Sequence, residues 1–247
     1  MKYQGYLICT DMDGTFAKTE ENFEAIKYFQ AGGGKFTVAT GRNISYIDEY
    51  FSPLPIQPNA PAIMCNGSVI YDYQADKILC EHFLDATDYQ LFLDISKKFD
   101  VPVRFSQRAS NVEHENIFVT DNNSDKLDIN RLYKGVWHST ENITPVEEYM
   151  LKKYKDKYQL TKSCSSLVEA NPKGISKSSG TLFVKKHTQS HTLICVGDYG
   201  NDIPMLETAD ISYAVGNAQD NVKKAAMRIT VDWQESAIAK IIKEIGV

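Results

Sequence analysis

The chain has 247 residues, 43% of them hydrophobic and 24% charged, which is ample for a buried core and excludes a disordered or collagen-like chain. Its 27 basic and 32 acidic residues leave a formal charge of −5, without the broad basic footprint of a nucleic-acid binder. No apolar run approaches the roughly 18 residues of a membrane span. Five cysteines without a C-x-x-C pair argue against a disulfide scaffold or zinc knuckle and suit a reducing cytoplasm. The apolar run 6–9, stopped by Asp11, is too brief for a signal-peptide core.

Residues 6–10 read as a buried strand, and Phe23, Ile26 and Phe29 then recur at helical spacing before Gly32, Gly33 and Gly34. A second strand is expected over 36–39, a helix over 44–51 and a third strand over 62–65. Strands alternating with helices at this spacing imply βαβ units and a parallel sheet. The last quarter resumes the pattern, with a strand over 193–196, a helix over 201–208 and a strand over 211–215. A short helix through Val222, Ala225 and Ala226 follows. The closing helix carries Ile238, Ile241, Ile242 and Ile245 on one face.

The middle differs. From about residue 83 to 170 the spacing predicts one helix through Tyr89, Phe92, Ile95 and Phe99, strands over 101–105 and 117–120, a polar loop over 121–128 and a helix over 145–157. This reads as a separate α+β module inserted into an α/β core.

Chemistry concentrates at two strand ends. Asp11-Met12-Asp13-Gly14-Thr15 directly follows the first strand, so both carboxylates are expected to project together from its carboxyl end, where open α/β sheets bind ligands. Gly197-Asp198-Tyr199-Gly200-Asn201-Asp202 follows a later strand in the same way. An N-cap role explains Asp202 well, but not the Gly-Asp pair before it. If the two loops are adjacent, three or four carboxylates converge; such a cluster needs a cation, and hard oxygen ligands favour magnesium. Thr40-Gly41-Arg42 after the second strand and Lys177 near a helix start suit phosphate oxygens.

DMDGT (11–15), VATGR (38–42), CNGS (65–68), NPKGISK (171–177) and GDYGND (197–202) together resemble the haloacid dehalogenase superfamily. More closely they are similar to its Cof-type phosphatases, whose α/β cap is inserted between the second and third motifs; AVGNAQDNVKKAA (214–226) looks like that subfamily's carboxy-terminal signature. The resemblance implies a doubly wound, Rossmann-like parallel-sheet core over 1–82 and 171–247, with an inserted α+β cap over 83–170 that carries specificity. It further implies Mg²⁺-dependent hydrolysis of small phosphate monoesters such as sugar phosphates. Asp11 would be the nucleophile and Asp13 the general acid/base. Thr40, Gly41, Lys177 and Asn201 would hold the phosphoryl group or its surroundings, and Asp11, Asp13 (through its backbone carbonyl), Asp198 and Asp202 the metal. The implied partner is a small phosphorylated metabolite, with no nucleic acid, membrane or obligate protein partner. An acid at position 13 favours phosphoryl transfer over dehalogenation. Ser178 stands where the subfamily usually has Gly, and Phe16 where Leu is commoner.

Two alternatives stay open at the level of sequence: a phosphomutase using the same aspartyl-phosphate, and a non-catalytic sensor of a phosphorylated ligand. Other features carry less. His187 and His191 are four apart but lack a third ligand. The glycines at 32–34 fit a helix end, since no phosphate-loop Gly-Lys-Ser/Thr follows. Arg104 and Arg108 are the sequence-level candidates for cap residues facing Asp11.

Overall fold

The computed structural model describes residues 1–108, 116–118 and 126–246. The amino-terminal part contains β1 (Tyr6–Thr10), α1 (Glu20–Ala31), β2 (Lys35–Val38), α2 (Ile44–Phe51), β3 (Ala62–Met64), β4 (Val69–Asp72) and β5 (Lys77–Glu81). The middle adds α3 (Ala86–Phe99), β6 (Val103–Gln107), β7 (Asn116–Phe118), β8 (Leu132–His138), α4 (Thr144–Tyr154), β9 (Tyr158–Thr161) and β10 (Leu167–Pro172). The chain continues through α5 (Lys177–His187), β11 (Thr192–Gly197), α6 (Ile203–Thr208), β12 (Ile211–Ala214), α7 (Asp220–Ala225), β13 (Arg228–Ile229) and α8 (Ala237–Ile245).

The core sheet has the order β13-β12-β11-β1-β2, every neighbouring pair parallel. Leu7, Ile8 and Cys9 of β1 and Leu193, Ile194 and Cys195 of β11 are fully buried, as central parallel strands covered on both faces must be. The chain winds from β1 to β2 on one side, whereas β11 lies on the other. The strand order therefore reverses between β1 and β11, and the crevice at their carboxyl ends is where such sheets take ligands. β3 joins this layer through a single parallel bridge, Ala39 to Ile63, and forms a separate antiparallel sheet with β4 and β5.

The second layer is an antiparallel sheet, β7-β6-β8-β10-β9, with α3 and α4 packed on one face. Alternation along its strands sorts the side chains. Val103 and Phe105 of β6, Trp137 of β8, and Val168 and Ala170 of β10 share an apolar cluster with Phe92 and Ile95 of α3 and Val146 and Met150 of α4. The residues between them, Arg104 and Ser106, Lys134, and Leu167 and Glu169, line a cavity on the opposite side together with Asp11. Helices on one face of an antiparallel sheet make this an α+β cap on the parallel core.

Most expected elements are present with edges shifted by a few residues. The third strand ends at Met64, because Cys65 and Asn66 take the left-handed conformation (φ 50° and 55°). The helix expected over 201–208 begins as a 3₁₀ turn, with Pro204 in the first turn of α6. The helix expected over 145–157 spans Thr144–Tyr154. The β4–β5 hairpin and strands β8, β9 and β10 were not anticipated. Lys134 and Gly135 in β8, and Glu169, Asn171 and Pro172 in β10, interrupt the apolar alternation that identifies a strand. The expected boundary at 170/171 falls inside β10, where Asn171 pairs with Gln159 of β9. Residues 119–120 of one expected strand and 121–125 of the expected polar loop lie outside the described residues. His191 is beyond the end of α5, so the two histidines do not share a helix face.

Candidate active site

β1 delivers Asp11 to the crevice. The Asp11 backbone N–H donates to the Val196 carbonyl at 2.9 Å, so the ladder with β11 continues one residue past the strand. The chain then turns, with the Thr15 and Phe16 N–H groups both reaching the Met12 carbonyl. Gly14 sits in this turn at φ +77°, and a Cβ there would lie 2.6 Å from Asp198 Oδ2. Only glycine combines that backbone with so close an approach.

The Asp11 and Asp13 carboxylates reach one cavity although the chain turns after Asp11. Asp11 is buried, whereas the Asp13 side chain is 58% exposed. Arg42 grips the Asp13 carboxylate with Nε at 2.7 Å and Nη2 at 2.8 Å. The guanidinium itself lies 3.7 Å from the centre of the Tyr46 ring.

β11 delivers the second acidic loop. The Asp198 and Tyr199 N–H groups donate to Asp202 Oδ2 at 3.0 and 3.1 Å, and Thr15 Oγ1 donates to Asp198 Oδ1 at 3.0 Å. Lys177, the first residue of α5, is oriented by a helix start in which Ser176 accepts from the Ser179 N–H. Its ammonium donates to Asp11 Oδ1 at 2.6 Å and to Asp202 Oδ1 at 2.7 Å. Burial works against the Lys177 charge, but the two carboxylates outweigh it and hold the ammonium above its ordinary range. Burial dominates at Asp11 and Asp198: the Asp11 carboxyl rises against the pull of Lys177, and Asp198 is pushed up further by Asp202.

One oxygen from each of Asp11, Asp198 and Asp202 lies within 4.8 Å of the other two. Three hard oxygen donors brought together in a buried crevice suit a small divalent cation such as Mg²⁺. The Asp13 carboxylate is not part of this group.

Thr40, Gly41, Lys177 and Asn201 all line the same cavity of about 470 Å³, as do the acids Asp11, Asp13 and Asp198. Of the two arginines singled out by sequence, Arg104 lines it as well. Arg108 does not; it pairs with Glu81 at 2.7 Å beside a different cavity. Ser178, the departure after Lys177, shares a hydrogen bond with Thr208 at 2.9 Å, and Phe16 packs among Phe36, Tyr50 and Phe51. Neither departure disturbs the acid cluster.

Sequence reasoning missed Lys134, Glu169 and the grip of Arg42 on Asp13. Arg42 lies inside VATGR (38–42), a motif whose signal is the Thr40 hydroxyl. Nothing local distinguishes Lys134 from a surface lysine.

The haloacid dehalogenase-like hydrolase family model matches residues 8–242. A 5-amino-6-(5-phospho-D-ribitylamino)uracil phosphatase of Bacillus subtilis is 29% identical over 261 residues, covering 96% of this chain and 94% of the relative. A pyridoxal phosphate phosphatase of Escherichia coli is 25% identical, with 96% and 97% covered. Among solved structures, a phosphatase of the same superfamily from Bacteroides thetaiotaomicron superposes with a TM-score of 0.81 at 20% identity, covering 99% of this chain and 96% of the other. Because the family model matches residues 8–242, nearly the whole chain, the protein belongs to the haloacid dehalogenase-like hydrolase family.

Proposed function

We propose that this phosphoric monoester hydrolase cleaves small phosphorylated metabolites by way of an aspartyl-phosphate on Asp11, with Mg²⁺ held by Asp11, Asp198, Asp202 and the Asp13 backbone carbonyl. The core would comprise 1–82 and 171–247 and the cap 83–170. The observation that carries this reading is the buried Lys177 ammonium bonded at once to Asp11 and Asp202 on the floor of a polar cavity. A cation fixed against a carboxylate lets that carboxylate approach a phosphate dianion, whose charge would otherwise repel it.

In the first half-reaction an Asp11 oxygen forms a bond to phosphorus while the bond from phosphorus to the leaving oxygen breaks. Asp13 gives its proton to the departing alkoxide. In the second, Asp13 takes a proton from water, whose oxygen attacks the same phosphorus; the bond to Asp11 breaks and inorganic phosphate leaves. Bound Mg²⁺ would supply positive charge to the phosphoryl oxygens. The Thr40 hydroxyl, the Gly41 loop and Lys177 would orient the phosphoryl group, with Asn201 beside them.

The named activities of the relatives, on a ribityl phosphate and on pyridoxal phosphate, support a phosphorylated metabolite with a polar leaving group. The test is phosphate release from a panel of phosphorylated metabolites with Mg²⁺, run beside Asp11→Asn. Turnover by the wild type that the variant lacks is expected. Equal release by both would overturn the reading, and isomerised sugar phosphate in place of free phosphate would make the enzyme a mutase.

A further inference from the structure

Three successive carbonyls of the 40–42 loop are occupied. The Thr40 carbonyl accepts from the Asn66 N–H and the Arg42 carbonyl from the Cys65 N–H, each at 2.9 Å and each from the turn that follows β3. The middle carbonyl, that of Gly41, is taken by Lys134 Nζ at 2.8 Å, from the cap. Lys134 is 2% exposed and its charge is balanced by Glu169 at 3.0 Å, itself 2% exposed. Glu169 also accepts from the Asn66 side chain. Burial opposes the Glu169 charge, yet Lys134 and Asn66 hold its carboxyl below the usual range. A buried ion pair is a poor source of net stability, because desolvating two charges offsets their attraction.

The Gly41 carbonyl and the Arg42 N–H belong to one planar peptide unit and point in opposite directions. The Arg42 N–H donates to Thr40 Oγ1 at 3.2 Å. One rigid plane therefore has a cap ammonium on one edge and the Thr40 hydroxyl on the other. With its oxygen accepting from that N–H, the hydroxyl keeps its own proton for a phosphoryl oxygen.

We propose that Lys134 is a positioning residue for phosphate binding, acting through the Gly41–Arg42 peptide on the Thr40 hydroxyl, with Glu169 holding Lys134 in place. It rests on the phosphatase reading above, and it assigns the cap a part in building the phosphate site as well as in covering it. A cap residue that met only the leaving group would leave phosphate affinity untouched. Lys134 changes it.

The test is a double-mutant cycle on the full chain with Mg²⁺, reading inhibition by orthovanadate, a mimic of the transferring phosphoryl group, and kcat/KM for one phosphate ester. Lys134→Met alone would strand Glu169, so Lys134 and Glu169 are changed together to Met and Gln. The pair variant is expected to bind vanadate about tenfold more weakly, the scale of one hydrogen bond from a charged donor. In a Thr40→Val background the same pair change should cost less than about threefold, because the hydroxyl it acts through is gone. Gly41→Ala provides a second route should the pair variant not fold. A methyl there would touch Lys134 Nζ at 3.4 Å and press on Asn66 Oδ1 at 3.2 Å, shifting the Gly41 peptide by a few tenths of an ångström against the ammonium while both charges stay paired. Wild-type vanadate affinity in the Lys134/Glu169 variant, or an equal loss with and without the Thr40 hydroxyl, would overturn the inference. Wild-type enzyme that neither releases phosphate nor binds vanadate would overturn the phosphatase reading, and the inference with it.

Discussion

Arg42 holds both carboxylate oxygens of Asp13, at 2.7 and 2.8 Å, while its guanidinium stacks on Tyr46. The two side chains are 39% and 58% exposed, and a pair so open to water contributes no more than about 1 kcal/mol to stability. Its consequence is orientation, since a forked donor fixes the plane of the carboxylate.

Arg42→Ala is therefore expected to leave the Tm nearly unchanged while lowering kcat. The loss should be larger for an alkyl phosphate than for p-nitrophenyl phosphate, whose leaving group needs little protonation. Asp13→Asn should show the same leaving-group dependence more strongly, with about 10²–10⁴-fold loss on the alkyl ester. Equal losses on both esters in steady-state assays would remove Asp13 from the role of leaving-group acid.

Asp11 and Lys177 should separate activity from stability. Asp11→Asn keeps the shape and leaves Lys177 paired with Asp202, so a folded protein with at least about a hundredfold lower kcat is expected. Lys177→Met removes the cation shared by two buried carboxylates. Stranding buried charge in this way costs about 3–5 kcal/mol, visible as a large fall in Tm in the metal-free protein. A Lys177→Met variant as stable as the wild type would show that its ammonium does not neutralise the cluster.

Metal binding should depend on pH. In metal-free protein burial, opposed by Lys177 and reinforced by Asp202, pushes the Asp11 carboxyl up to about 8. Burial and Asp202 push Asp198 up to about 6. Both groups bind protons more tightly in the folded chain than in the unfolded one. Their stabilising contribution is complete below the ordinary carboxylate range and is lost as pH rises through about 6 and about 8. Mg²⁺ must displace those protons, so its apparent affinity should rise across the same interval and binding should release protons. Calorimetry in buffers of different ionisation enthalpy reads this directly. Affinity independent of pH between 5 and 9 would place the metal elsewhere, and full activity in excess chelator would dispense with it.

Arg104 and Arg108, equivalent by sequence, should behave differently. Arg104 lines the cavity that contains Asp11, whereas Arg108 is paired with Glu81 beside another. Arg104→Ala is expected to change the ratio of kcat/KM between two phosphate esters, and Arg108→Ala to leave that ratio where it was. The reverse pattern would mean that substrate enters by the other cavity.

What the sequence determined by itself was everything that depends on neighbours along the chain. Apolar runs ending in Asp-x-Asp-Gly and Gly-Asp fall at the carboxyl ends of β1 and β11 because strand periodicity and turn chemistry are local. The start of α5 at Lys177 was legible from the same kind of signal. Tertiary structure alone decided which of these groups meet. Lys177 reaches Asp11 across 166 positions and Lys134 reaches Gly41 across 93, and no spacing rule spans such distances. Within the cap, β8 and β10 were hidden because Lys134 and Glu169, which they turn toward the cavity, are charged. Lys134 and Glu169 read as solvent-facing until the fold buries them against each other and against the phosphate loop. Burial of a charge is decided by the partner that neutralises it, and that partner comes from a different strand.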